Sequence, residues 1–197
     1  MKLNELANVR SGLVLSRKES KSTVDSQTIY YKQINLKCIT EKGNIDLDLL
    51  DDFYANEKLK FDYLTHTNDI IVRLSYPHTA VLITDEFEGF VIPSHFVIIK
   101  VNSNKLLPEY LYWLLNSEGI KKKIQQNNTG SILGTVKPSF FAELNLKPIT
   151  INQQKLIADI YMTAKNEANL LEQLKQQKEI LYKEITNTIY KNAKRGF

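Results

Sequence analysis

Three groups of basic residues are the chain's main candidates for chemistry. Lys121, Lys122 and Lys123 stand in a row. Arg10 and Ser11 precede Gly12, and Arg17 and Lys18 follow it. Arg73, Tyr76 and His78 lie close together after an apolar stretch. A cluster of ammonium groups suits phosphate contact, which is independent of base sequence and sensitive to salt. Arginine, tyrosine and histidine on loops can reach base edges, where sequence is read. Beyond the lysine run, Thr129, Gly130 and Ser131, with Lys137, form a loop of small polar residues that lets backbone approach a phosphate. The lysine run suits a solvated helix end equally well, because cations complement the negative pole of the helix dipole. The sequence leaves both readings open.

Other chemistries find little support. His66, His78 and His95 are the only histidines, and none has the i, i+4 spacing of a zinc pair. There is no glycine-rich phosphate loop, no GxSxG and no adenine-methyltransferase signature. Asp46, Asp48, Asp51 and Asp52 lie in a short segment that reads as a solvated face. The single cysteine, Cys38, rules out an internal disulfide and sits in the apolar context of a buried thiol. No catalytic residue, metal site or bound cofactor is therefore expected. The net charge of +4 permits nucleic-acid binding without requiring it. No apolar run reaches the roughly 18 residues of a membrane span, and the N-terminal stretch lacks the apolar core of a signal peptide. These features predict a cytoplasmic protein with no membrane partner.

The elements that must carry these residues fall into two regions. Up to Ile149, aromatics, glycines and prolines mix with short β-like runs. Beyond it, leucine, isoleucine, lysine, glutamate and glutamine dominate. A boundary near Lys147-Pro148 divides residues 1–149 from 150–197. In the first region LNELANVRSG, TIYYKQINL, KCIT, NDIIVRLSY, TAVLITDEF and GFVIPSHFVIIKV read as an apolar-spaced opening followed by strands, with NIDLDLLDDFY ambiguous. Pro93 argues for an edge or irregular strand. Pro108 and Glu109 open a helix predicted to run to about Gln126, with Gly119 a weak point. The fold class is α+β: a mixed domain followed by a long C-terminal helix.

That helix reads as a coiled-coil segment. Ile157, Ile160, Ala164, Glu167, Leu171, Leu174, Lys178, Leu181, Ile185 and Thr188 alternate steps of three and four. Tyr161, Ala168, Tyr182 and Ile189 widen the stripe on one side. A helix of about 38 residues spans roughly 57 Å, more than a domain of this size needs for its own packing. Pairing with another helix is the expectation, through Ile157, Ile160, Ala164, Leu171, Leu174, Leu181 and Ile185. Glu167 and Lys178 on the seam disfavour a parallel pair.

The order of these pieces resembles the specificity (S) subunits of type I restriction-modification systems. LNELANVRSG is similar to the opening of a target recognition domain. NDIIVRLSYPHTAVLI looks like its paired strands, and GFVIPSHFVIIKVNSNKLLPEYLYWLLNS like its strand leading into a helix. NTGSILGTVKPSFFAELNLKPITINQQKLIADIY looks like the junction into the long helix. Asn68 stands where the family has a glycine, and Pro148 to Gln154 replace a proline-rich turn. The resemblance implies a non-catalytic subunit that binds double-stranded DNA. It implies adenine methyltransferase (M) subunits as partners, which carry S-adenosylmethionine, and allows a restriction (R) subunit. Family members commonly have two recognition domains and two antiparallel helices, so one of each implies a half-length form. Such a form would pair with a second copy and read a palindromic, interrupted site. A coiled-coil scaffold or regulator that binds a partner without reading DNA is the alternative.

Overall fold

The computed structural model describes residues 1–20, 28–127, 134–147 and 149–195. The chain divides into two compact units, Met1–Lys155 and Leu156–Phe197. The first is built on a four-stranded antiparallel sheet. Its strands are β1 (Ala7–Ser11), β4 (Asp69–Arg73), β5 (Ala80–Leu82) and β6 (Phe96–Val101), in the order β1-β6-β4-β5. A separate hairpin-like pair joins β2 (Ile29–Gln33) to β3 (Asp51–Ala55), also antiparallel. Three helices follow in this unit: α1 (Pro108–Asn116), α2 (Glu118–Asn127) and α3 (Pro138–Ala142). The helix α4 (Ile151–Arg195) completes the α+β architecture.

Burial on both sheet faces explains why β4 and β6 read as continuous apolar runs rather than alternating ones. Ile70, Ile71 and Val72 on β4 and Phe96 to Ile99 on β6 are all buried. One face presents Ile71, Val81, Phe96 and Ile98 to a layer containing Ile34, Cys38, Ile39 and Ile92. Toward the opposite side, α1 packs on β5 and β4. β5 is an edge strand, and the Asn116 amide at the end of α1 caps part of that edge. Its Nδ2 donates to Ala80 O and its Oδ1 accepts from Ala80 N, both at 3.1 Å. A side chain thus takes the hydrogen bonds that an added strand would seek.

Two backbone positions explain local sequence choices. Gly12 follows β1 and passes against the Ile92–Pro93 backbone. A Cβ at that site would lie 2.2 Å from Pro93 O and 2.4 Å from Ile92 O. Only glycine permits this approach. Asn68, before β4, has φ +69°, in the left-handed region where glycine is easiest and asparagine is tolerated. The asparagine therefore serves the turn that the resembled glycine would serve.

Several expectations change in detail. KCIT forms no strand; Ile39 makes only an isolated bridge to Ile45. NIDLDLLDDFY resolves into a single 3-10 turn at Leu47–Leu49 and then β3. Pro93 lies before β6 rather than in an edge strand, and β6 itself sits centrally between β1 and β4. The run GFVIPSHFVIIKV is split by Pro93, which cannot donate to a ladder. The predicted single helix from Pro108 is two helices. The break falls at Ser117, which has extended ψ of 149°, rather than at Gly119. Ser117 Oγ donates to Leu114 O at 2.6 Å, ending α1 by local side-chain competition.

Cys38 is a buried free thiol, as expected. Its Sγ donates to Asn35 O at 3.2 Å, and burial pushes the thiol pKa up. Both features belong to a structural rather than a nucleophilic thiol.

The start of α4 is capped within the segment that replaces the proline-rich turn. Thr150 N donates to Gln153 Oε1 at 3.0 Å, and Gln153 N donates to Thr150 Oγ1 at 3.3 Å. This is the reciprocal capping box of a Thr-x-x-Gln sequence. Gln154 is buried; its Nε2 donates to Lys105 O at 2.9 Å and its Oε1 accepts from Leu107 N at 2.9 Å. The helix contains no proline or glycine and is rich in strong helix formers. Its 45 residues exceed the expected 38 and correspond to about 68 Å of helix.

Candidate nucleic-acid interface

Strand register gathers the first group of polar side chains. Residues directly opposite in an antiparallel ladder share a face. Arg10 faces Ile98, which faces Ile71; Asn8 faces Lys100, which faces Asp69. Arg10, Lys100 and Asp69 therefore rise from one side of the sheet. Arg10 Nη1 lies 2.7 Å from Asp62 Oδ1, in a half-buried to exposed ion pair. Beside it, Phe61 is 62% exposed and stacks on His66 with ring centroids 3.4 Å apart. Lys100 Nζ sits 4.9 Å from the Phe61 centroid. This combination of a basic group and an exposed aromatic face can hold a phosphate and pack against a sugar or base.

Asp69 lies at the floor of this group. It is buried, and neither carboxylate oxygen has a partner among the described residues. Burial raises its pKa, opposed by the charges of Lys100, His66 and Arg10.

The second group forms at the other end of β4. Arg73 ends the strand, and its Nη2 donates to Tyr76 O at 3.4 Å. Tyr76 is 75% exposed, whereas His78 is buried, with its ring edge-on to Tyr76 at 6.5 Å. Sequence reasoning placed all three on a loop but did not separate an exposed tyrosine from a buried histidine. It also missed Thr79 and His95. Arg73 Nε, His78 Nδ1, Thr79 Oγ1 and His95 Nε2 are all buried without a hydrogen-bond partner among the described residues. Burial lowers the pKa of His78 and of His95, and the Arg73 charge adds to both effects. Burial likewise lowers the Arg73 pKa. His95 immediately precedes β6, which pairs with β4 from Phe96 opposite Arg73. Pairing the two apolar runs in antiparallel register would have brought His95 to this place.

The third group uses α2 and α3. Lys122 and Lys123 are exposed on α2, and Lys121 is partly so. Lys137, the residue before α3, lines the same cleft as Lys123. Lys123, Gln126, Asn127, Lys137, Ser139 and Asn145 line an open cleft of about 600 Å³, with Glu143 also on its wall. Lys123 and Lys137 thus share one cleft, which Lys121 and Lys122 do not line. Thr129, Gly130 and Ser131, expected between them, lie outside the described residues.

The remaining basic residues divide. Lys18 is paired with Glu57, which holds that carboxyl below the usual range. Arg17 ends a 3-10 turn, exposed, with no ion-pair partner among the described residues. Ser11 is exposed at the end of β1. The structure does not draw all of the basic groups into one pocket; each occupies a separate part of the first unit. Among the described residues no cluster of His, Cys, Asp and Glu is placed to hold a metal. No described helix is long and apolar enough to cross a membrane.

The second unit carries a different surface. Ile160, Leu171, Leu174, Leu181 and Ile185 are between 45% and 63% exposed. Ala164 is exposed and Ile157 half-buried. Leu170, Tyr182, Ile189 and Tyr190 are also exposed. An exposed apolar stripe of this length, broken on its seam by Glu167 and Lys178, is characteristic of an interaction surface.

Taken together, the sheet, the helices beside it and the long helix have the fold of type I restriction-modification S subunits. The chain aligns with the HsdS subunit from Thermoanaerobacter tengcongensis at a TM-score of 0.64 and 14% identity, over 88% of this chain and 43% of that one. It aligns with a chain from a structure on complex assembly and conformational transition of the type I R-M system at 0.62 and 14%, over 86% and 43%. The chain spans less than half the length of these solved chains. No protein-family profile and no curated protein sequence matches it.

Proposed function

We propose that this protein is the DNA sequence-recognition subunit of a type I restriction-modification complex. It is non-catalytic. The first unit binds double-stranded DNA, and the long helix dimerises with a second copy and helps position adenine methyltransferase subunits, which supply S-adenosylmethionine and the chemistry. A two-fold pair of identical recognition domains reads a palindromic, interrupted site. The observation that carries this reading is the S-subunit fold across most of the chain, which accounts for a recognition domain and a solvent-exposed heptad stripe in one molecule.

Within the first unit, Lys121, Lys122, Lys123 and Lys137 contact phosphates. Arg73 and Tyr76 read base edges, supported from behind by His78. Arg10, Ser11, Arg17 and Lys18 supply a further, separate region of contact, with Arg10 and Lys18 exchanging Asp62 and Glu57 for phosphate on binding. Thr129, Gly130 and Ser131 add small polar groups that let backbone approach the DNA.

The test is a pull-down of the tagged chain from its native host, with the retained proteins identified by mass spectrometry. Recovery of a DNA adenine methyltransferase at comparable stoichiometry is expected. Recovery of the chain with an unrelated partner and no methyltransferase would favour the scaffold reading.

A further inference from the structure

The exposed stripe of α4 is interrupted by two opposite charges, and their positions are informative. Glu167 and Lys178 both occupy seam positions, and both are exposed. Between them lie Leu171 and Leu174, which are 59% and 47% exposed. The seam spacing of three and four is symmetric about a point between these two leucines.

We propose that α4 pairs with the α4 of a second copy of this chain in a single antiparallel register, centred between Leu171 and Leu174, in which Glu167 faces the partner's Lys178. This rests on the self-pairing stated in the proposed function and specifies its geometry. In an antiparallel coiled coil an a residue meets a d residue of the other helix. With the two-fold axis at this point, Leu171 meets Leu174, Ala164 meets Leu181, Ile160 meets Ile185 and Ile157 meets Thr188. Both charged positions meet a partner of opposite sign, and the symmetry makes two such pairs.

Every neighbouring arrangement is worse. A slip of one heptad sets Glu167 against Ile185 and Lys178 against Leu174. The opposite slip sets them against Leu171 and Ile160. Each leaves four charges facing apolar side chains, and an unpaired buried charge is strongly destabilising. A parallel pair in register sets glutamate on glutamate and lysine on lysine. A polar seam position is known to fix register and orientation at some cost in stability. Here the device is a self-complementary pair, so the same chain supplies both halves of the code.

The second copy is the occupant because of this complementarity. The bulky side residues agree with it. Tyr161 and Tyr182 both occupy e positions, which lie on the same edge of an antiparallel pair, and in this register they come alongside each other.

The experiment uses the full chain and two variants, Glu167→Lys and Lys178→Glu. Both positions are solvent-exposed in the single chain, so neither change threatens its folding. In the proposed register each variant alone places like charges opposite each other twice. Self-association measured by analytical ultracentrifugation should weaken on the order of tenfold or more for each. An equimolar mixture should recover wild-type affinity as a heterodimer, visible by native mass spectrometry. In that heterodimer the two introduced charges, opposite in sign, face each other, and the unaltered Lys178 of one chain faces the unaltered Glu167 of the other. A second measurement mixes chains carrying Ala164→Cys and Leu181→Cys under oxidising conditions. They should cross-link to each other, while Ala164→Cys alone should not cross-link to itself.

Variants that dimerise as tightly as wild type, or a mixture no tighter than either variant, would overturn the register while leaving self-pairing in place. Self-cross-linking of Ala164→Cys would establish a parallel pair and overturn the proposal. A wild-type chain that stays monomeric at high concentration would overturn both the register and the self-pairing it rests on.

Discussion

Replacing Gly12 with alanine should destabilise the first unit sharply, and the cost follows from geometry. The new methyl group would sit 2.2 Å from Pro93 O and 2.4 Å from Ile92 O, far inside any ordinary contact. Both obstacles are backbone atoms. Neither can move freely, because Gly12 N donates to Phe96 O at 3.0 Å and Leu13 N donates to Ile92 O at 2.7 Å. Relief requires β1 and the segment before β6 to separate. Overpacking alone costs about 1–3 kcal/mol, and losing one or two ladder hydrogen bonds adds about 1 kcal/mol each. The total is roughly 2–5 kcal/mol. At about 2–4 °C per kcal/mol for a domain of this size, the melting temperature should fall by roughly 10 °C. The single tryptophan, Trp113, lies on α1 within this unit and reports its unfolding by fluorescence. Gly119→Ala is the control, since its nearest neighbour is Ser117 Oγ at 4.0 Å. It should be neutral or stabilise by up to about 1 kcal/mol. A Gly12→Ala protein melting within about 2 °C of wild type would refute the argument from close approach.

Other outcomes follow from the same structure. Asn68→Gly should keep or slightly raise stability, while Asn68→Val should lower it by about 1–2 kcal/mol in urea unfolding, because φ is +69° there. Lys122→Ala with Lys123→Ala should weaken binding of the assembled complex to all DNA sequences about equally and reduce its salt slope by roughly two, measured by titration at several salt concentrations. Folding stability should fall as pH drops through about 6.5. His78 and His95 have lowered pKa values in the folded state, so the unfolded chain takes up protons that the folded chain resists. Urea midpoints at pH 7.5 and 5.5 test this, and the difference should shrink in His95→Gln.

The long helix was legible because it depends on local properties. An uninterrupted run without proline or glycine, and a three-four spacing, survive whatever the rest of the chain does. Strands β4 and β6 were legible for a related reason, since long apolar β-branched runs are hard to place anywhere but a sheet centre. The break at Ser117 was not legible: it depends on a hydroxyl choosing Leu114 O over solvent, a competition between near-equal options. Pro93 pointed to an edge because proline is excluded from central ladders. The chain resolves that conflict by starting β6 three residues later. The candidate site was only partly legible. Basic residue types could be picked out, but their partners could not. Arg10 and Lys18 are engaged with Asp62 and Glu57 across long sequence separations, and His78 turns inward. The cleft that both Lys123 and Lys137 line depends on α3 packing against β1, a long-range contact that no sequence window contains.

The central claim is that this chain directs methylation to a DNA sequence. It is tested most directly by mapping N6-methyladenine across the host genome with the gene intact, deleted and restored. The account predicts that methylation disappears from one interrupted, palindromic motif on deletion and returns on restoration. A methylation pattern unchanged by deletion would contradict it.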